Sequence, residues 1–238
     1  MKKQEDIWKE NLKYITPQDV LEQYRQPAEF QKELRDYINS IKISNSDRKI
    51  IEIGCETGVT SFLLSSKFER YLLDLNPIAI NLAEQAAEIL NINAKFIVGN
   101  MFKMEIKDES FDLIFNAGVI EHFNKMHRIE ALIEYKRILK KDGKMIICFP
   151  NHYCIPYRIA YKILTLFNKW KYPKEFKIYD LNYECKKAKL EIVERITVSK
   201  STIYDWLKFS PKLYKIIKYI EKFIEYEGYL TIVLIKKI

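Results

Sequence analysis

Four short stretches carry residues of the type and spacing to hold a nucleoside and act on a group beside it. In IIEIGCETGVTS, Ile50 to Ser61, an apolar run breaks at Gly54, passes Cys55 and Glu56, and reaches Gly58 before a helical pattern begins. Two glycines leave a bare backbone that a ligand can approach, and the N–H groups that open a helix point outward. Glu52 stands two residues before the turn and Glu56 at its tip, so a ligand there meets carboxylates. Asp74 ends the next apolar run, twenty residues after Gly54, where a carboxylate accepts hydrogen bonds from the two hydroxyls of a ribose. In GNMF, Asn100 and Met101 offer an amide and an apolar cover to a purine, and NAGVIEHF adds Asn116, Glu121 and His122. His122 titrates near neutrality and is the candidate general base; packing at a helix start is the competing role. Glu121 is placed either to grip a substrate or to cap that helix. His152, Tyr153 and Tyr157, just past the fifth apolar run, are candidates for lining an acceptor pocket.

Metal chemistry has little support. His122 and His127 are five apart, off the i, i+4 spacing that sets two ligands on one helix face, and the chain has neither HExxH nor CxxC. A dinucleotide fingerprint GxGxxG demands glycine at 56 and 59, where the chain has Glu56 and Val59. An NAD-dependent oxidoreductase is therefore the weaker alternative, resting on the strand, the glycine turn and Asp74 alone.

These residues need elements that bring them together. KIIEI, RYLLDL, AKFIV, FDLIFN and KMIICF read as strands, with helices near 58–67, 77–90 and 128–140 between them. Strand and helix alternating at this spacing imply parallel βαβ units in a doubly wound, Rossmann-like α/β sheet with helices on both faces. Ligands then bind at the carboxyl ends of the strands, beside the point where strand order reverses. Residues 1–47 read as N-terminal helices, 48–151 as the cofactor-binding core, and 152–238 as a basic helical lid or substrate region with two closing strands, LEIVERITV and YLTIVLIKKI, giving seven with the last antiparallel. Between these two, SPKLYKIIKYIEKFIEYEG has apolar residues at helical spacing, with Gly228 suited to its C-terminal cap.

The ordered set resembles the class I S-adenosylmethionine-dependent methyltransferases, in particular the family of small-molecule and quinone-biosynthesis enzymes. IIEIGCETG resembles the E-h-G-C-G-x-G loop, YLLDLNPIAI the ribose-binding D-h-S-P segment, and AKFIVGNMFKMEIKDESFDLIFNAGVIEHF the stretch from the adenine contact through the fourth strand. LKKDGKMIICFPN resembles the L-K-P-G-G segment of strand five, and YDLNYECKKAKLEIV the helix leading into strand six. The resemblance implies S-adenosyl-L-methionine as cofactor. Glu52 would orient the loop or meet the methionine ammonium, and Gly54, Cys55 and Gly58 would pack their backbone against the methionine and ribose. Asp74 would bind the ribose diol, Leu75 and Met101 would flank the adenine, Asn100 would face its amino group and Asn116 would lie near the methionine. The family usually has aspartate where Asn100 stands, and glycine where Glu56 stands. Those departures motivate a second alternative, a cofactor-binding protein without catalysis.

With 48% apolar and 30% charged residues, the composition is that of an ordered globular chain. The four cysteines, scattered and partly within apolar runs, suit a reducing compartment, and MKKQEDIWKEN lacks the apolar core of a signal segment, so the cytoplasm is expected. The net charge of +8 is uneven: residues 1–150 carry 22 basic and 23 acidic side chains, residues 151–238 carry 18 and 9. The basic third is the surface for an anionic acceptor or for peripheral contact with an acidic membrane. Its lysines run along helices rather than gathering with stacking aromatics, and NAGV lacks the tetrad of nucleic-acid amino-methyltransferases, so no specific nucleic acid is expected. Nothing in the sequence sets the oligomeric state.

Overall fold

The computed structural model describes residues 2–43, 48–202 and 207–238. The division drawn after residue 47 falls beside residues 44–47, which lie outside the described residues. The apolar runs become β1 (Arg48–Ile53), β2 (Phe68–Asp74), β3 (Ala94–Val98), β4 (Phe111–Ala117), β5 (Leu139–Pro150), β6 (Leu190–Val198) and β7 (Leu230–Lys237). They form one seven-stranded sheet in the order β3-β2-β1-β4-β5-β7-β6. The first five strands pair in parallel, and β7 runs antiparallel between β5 and β6. This is the Rossmann-like sheet with an antiparallel last strand expected from the alternation. Helices cover both faces of β4, so Phe111 through Asn116 are all buried and the strand reads as a near-continuous apolar run.

Three helices precede the sheet: α1 (Lys2–Leu12), α2 (Pro17–Arg25) and α3 (Glu29–Ser40). The second opens on a capping box, in which Thr16 N–H donates to Asp19 Oδ2 at 2.8 Å and Asp19 N–H donates to Thr16 Oγ1 at 3.3 Å. Within the sheet region α4 covers only Val59–Phe62, shorter than the helix expected over 58–67. Arg70 of β2 explains the early stop: its Nε donates to Ser61 O at 3.0 Å and its Nη2 to Leu64 O at 2.6 Å, capturing carbonyls that a longer helix would use. Next, α5 spans Pro77–Leu90 as expected, capped by Asn76, whose side chain accepts from Ile78 N–H at 3.0 Å. The helix expected over 128–140 is α6 (Lys125–Ile138), because Asn124 caps it earlier by accepting from His127 N–H at 3.0 Å.

After β5 come α7 (Ile155–Leu166), α8 (Asn182–Ala188) and, beyond β6, α9 (Pro211–Ile220). One core lies between the sheet and α6 and α8, filled by Leu132, Tyr135 and Ile138. There Arg128 donates through Nε and Nη2 to Glu184 Oε1 at 2.9 and 2.6 Å, with both side chains buried. On the opposite face Leu34 and Ile38 of α3 pack on Ile50, Leu113, Ile146 and Ile232. The helices α7 and α9 share a satellite core around Tyr157, Ala160, Ile217 and Tyr226. Gly228 is not a helix cap, since α9 ends eight residues earlier; a Cβ at Gly228 would sit 2.1 Å from Val198 O, so the glycine lets the chain pass close against the end of β6.

Candidate active site

Strand order reverses beside β1, whose neighbours are β2 and β4, and the ends of the first four strands converge there. Backbone pairing holds them: Gly54 N–H donates to Leu73 O at 2.7 Å, Gly99 N–H to Asp74 O at 2.9 Å and Gly118 N–H to Cys148 O at 3.1 Å. Between them lies a cavity of about 400 Å³. Gly54, Glu56, Asp74 and Leu75 line one side, Asn100, Met101 and His122 another. Gly54 has φ +72° and a Cβ there would lie 2.5 Å from Val119 Cγ2, so neither the conformation nor the space admits a side chain.

The turn from Gly54 to Gly58 alternates left-handed positions: φ is +72° at Gly54, +49° at Glu56 and +75° at Gly58. Glutamate is an unfavourable occupant of that region. The turn is fixed from β2, where Asp74 Oδ2 accepts from Glu56 N–H at 2.9 Å while Oδ1 accepts from Asn76 N–H at 2.8 Å. The Leu75 N–H also faces this carboxylate, and since its two oxygens offer about four lone-pair sites, acceptor capacity remains for a further donor. Burial raises the Asp74 carboxyl above its usual range although the surrounding N–H groups oppose this. Glu56 meets water through the cavity, yet protein encloses it on other sides; burial and the nearby Asp74 push its carboxyl up to about 7. Glu52 is buried, its Oε2 accepting from Ser61 Oγ at 2.6 Å and Ser61 N–H at 3.2 Å, and burial pushes it up to about 8. It holds the start of α4 rather than facing the cavity. Cys55 and Gly58 are also set behind the wall, where Gly58 N–H closes the turn onto Cys55 O at 2.8 Å.

On the adenine side expected from the resemblance, Asn100 Oδ1 accepts from Phe102 N–H at 3.0 Å, which fixes the amide at the rim. Asn116 is fully buried and away from the cavity wall. Its Nδ2 donates to Ile53 O at 2.9 Å and to Tyr135 Oη at 3.2 Å, and that hydroxyl donates to Met101 Sδ at 3.3 Å. Asn116 thus reaches the site through Met101, and its Oδ1 has no hydrogen-bond partner among the described residues.

The stretch past β4 forms a 3₁₀ turn, Ile120–His122. His122 lies at the cavity with Nδ1 3.3 Å from Lys174 O, so Nδ1 carries the proton and Nε2 keeps its lone pair. Burial pulls the imidazole down to about 4, leaving it neutral at physiological pH. Glu121 is buried beside it, Oε1 4.0 Å from His122 Nε2 and Oε2 without a partner among the described residues; burial, then Glu175, raises it well above the carboxylate range. Its backbone, not its side chain, anchors the neighbouring segment, accepting from Phe176 N–H at 2.7 Å. His152 and Tyr153 lie against Tyr179, outside the cavity, with ring centroids 4.5 and 5.4 Å away. Tyr157 is buried and donates to Glu175, which also accepts from Arg158 Nη1 at 2.8 Å.

Motif reasoning missed the roof. Glu5, Trp8, Lys9 and Leu12 of α1 line the cavity, with Leu12 buried on Ala79 and Leu82. The Trp8 ring stands edge-on to His122 at 5.5 Å and tilted to Tyr172 at 5.9 Å, and Asn11 Nδ2 donates to Lys171 O at 3.0 Å. The roof therefore joins α1 to the segment after α7. A tryptophan isolated in a charged segment, four residues before Leu12, was the available signal.

A profile described as a methyltransferase domain matches residues 44–209. An uncharacterized protein of Methanocaldococcus jannaschii is 26% identical over 181 residues, covering 74% of this chain and 75% of that one. An uncharacterized protein of Haemophilus influenzae is 28% identical over 106 residues, 43% of this chain, and the match spans only 42% of that protein's length. Among solved structures, geranyl diphosphate C-methyltransferase from Streptomyces coelicolor, crystallised with Mg²⁺, geranyl diphosphate and S-adenosyl-L-homocysteine, superposes with a TM-score of 0.64 at 12% identity, over 87% of this chain and 77% of that one.

Proposed function

The chain belongs to the methyltransferase domain family, and from that premise we propose that it transfers a methyl group from S-adenosyl-L-methionine, by in-line displacement, to an oxygen or nitrogen of a small-molecule or lipid- or glycan-linked acceptor. The observation that carries the reading is the cavity that Gly54, Glu56, Asp74, Leu75, Asn100 and Met101 line together from the ends of three strands. These residues fit the cofactor. Gly54 gives a wall without a side chain, Asp74 has lone pairs left for a ribose diol, Leu75 and Met101 offer apolar faces for a purine, and Glu56 with Asp74 supplies negative charge for a cationic ligand.

Bound S-adenosylmethionine supplies a methyl group on a sulfonium, an electrophile that is already activated. The protein's share is placement and exclusion of water, and effective concentrations from good placement contribute on the order of 7–11 kcal/mol. Trp8 and Leu12 close the cavity from above. His122, neutral and with Nε2 unprotonated, takes the proton from an acceptor hydroxyl or amine as the new bond forms. Its low basicity suits removal of a proton that has become acidic through methyl transfer better than deprotonation beforehand.

A cofactor-binding role without catalysis is the second reading, favoured by Glu56 and Asn100 at positions where the resembling family has glycine and aspartate. Thermal shifts with S-adenosylhomocysteine and with NAD distinguish the fold's ligand, since a ligand that prefers the native state raises the midpoint. The proposal expects a shift with S-adenosylhomocysteine and none with NAD. Labelled methyl appearing in a component of a cell extract selects catalysis over binding alone.

A further inference from the structure

We propose that α9 and the turn that follows it dock on an anionic bilayer surface. Ser210 and Pro211 start this helix, with Leu213 N–H donating to Ser210 Oγ at 3.4 Å. Its inner face, with Ile217 buried and Leu213 and Ile220 partly buried, packs on the satellite core. Beside that face runs a second apolar stripe that nothing among the described residues covers. Ile216, Tyr219 and Phe223 recur at spacings of three and four, and Phe223 is 75% exposed. Phe223 N–H and Ile224 N–H still bond to Ile220 O at 2.9 and 3.1 Å, so the helical turn carries both side chains past the end of α9. Lys212, Lys215 and Lys222 flank the stripe, all exposed and without an ion pair among the described residues. The partner helix α7 ends in the same manner, with Leu166 and Phe167 78% and 65% exposed and Lys169 following.

An apolar stripe edged by unneutralised lysines complements a surface that is apolar within and anionic at its rim, as acidic lipid presents. A second copy of this chain would set lysines against lysines. Nucleic acid would satisfy the charge and leave the aliphatic side chains wet. The contact is peripheral: among the described residues no helix is long and apolar enough to cross a membrane.

The test is flotation of the full chain with phosphatidylcholine vesicles, with and without about 30 mol% phosphatidylserine. Vesicle binding is read without methyl transfer, so it stands or falls apart from the proposed reaction. Binding should be at least about tenfold stronger to the anionic vesicles and weaken at high salt. The double variant Ile216→Ser with Phe223→Ser should lose about tenfold of that binding while keeping the wild-type thermal midpoint, because both side chains are exposed. Lys215→Glu with Lys222→Glu should abolish it. Equal binding to both vesicle types overturns the proposal, as does anionic binding that survives the apolar double variant. Tighter binding to an oligouridylate than to the anionic vesicles, or a dimer that the apolar variant dissolves, assigns the face elsewhere and overturns it too.

Discussion

Replacing Glu56 separates two costs that this residue imposes on the turn. At φ +49° its backbone carries the left-handed penalty of an L-residue, about 1–2 kcal/mol. Glycine removes that penalty but gains unfolded-state freedom, which costs about 0.4–1 kcal/mol. At a pH where the carboxyl is neutral in both states, Glu56→Gly should therefore be more stable than wild type by about 0–1.5 kcal/mol. The second cost is charge. The folded carboxyl titrates at about 7 against an ordinary 4.5, so its contribution to stability is greatest below 4.5, falls as pH rises through 7, and is constant above. Because the group reaches water through the cavity, screening reduces the full linkage energy, and we take about 1 kcal/mol. Glu56→Gln keeps the strain and removes the charge, so it should nearly match wild type at about pH 4 and exceed it by about 1 kcal/mol at about pH 8. Glu56→Gly should exceed both. Urea denaturation of the three proteins at the two pH values measures this, with thermal midpoints moving about 2–4 °C per kcal/mol. A glycine variant less stable than the glutamine variant, or a glutamine variant that gains nothing at pH 8, would refute the reasoning. Cofactor affinity of Glu56→Gly should change by less than about tenfold, roughly 1.4 kcal/mol.

Four further outcomes are expected. Gly54→Ala should destabilise by about 1–4.5 kcal/mol, the sum of a left-handed alanine and a clash with Val119 less the unfolded-state freedom that alanine gives up, and should abolish binding of S-adenosylhomocysteine in calorimetry. Since Glu52, Glu56 and Asp74 all hold protons more tightly than usual, a cationic ligand should drive proton release; affinity for S-adenosylmethionine should rise relative to S-adenosylhomocysteine as pH increases through 7, and a flat ratio would contradict it. Glu184→Gln strands Arg128 in the core and should cost about 3–5 kcal/mol in urea unfolding, most of it recovered when Arg128→Met is added. Trp8→Ala opens the roof over His122 and should weaken S-adenosylhomocysteine binding by about tenfold while leaving the unfolding midpoint near wild type.

The central strands were legible because their apolar runs are buried, β4 almost throughout and β1 over its last four residues, and Gly54 because the turn admits few residue types. What stayed hidden depended on distant chain. The roof is set by Leu12 packing on Ala79 and Leu82, a contact that no spacing within residues 2–12 encodes. The left-handed backbone at Glu56 was invisible because glutamate rarely adopts it, and the Asp74 side chain that stabilises it lies 18 residues away. The hydrophobic positions of α9 were legible as apolar residues at helical spacing, whereas only part of that set finds a partner; periodicity reports that a helix is amphipathic and not which apolar residues are covered. Gly228 looked like a cap for the same reason, its constraint coming from Val198 across the sheet.

The position of β7 has a consequence for how the chain matures. This strand is made after both of the strands it separates, and Leu230 to Ile235 are buried between them. Until those residues emerge, β5 has an open edge and β6 has no neighbour in the sheet, so a nascent chain halted before residue 230 presents sticky backbone that chaperones must shield. The cofactor turn, by contrast, depends on β1, β2 and β4, all available more than one hundred residues sooner. A ribosome-bound chain can thus assemble its ligand cleft well before its sheet is sealed, and a truncation within β7 should yield aggregation in place of a merely inactive protein.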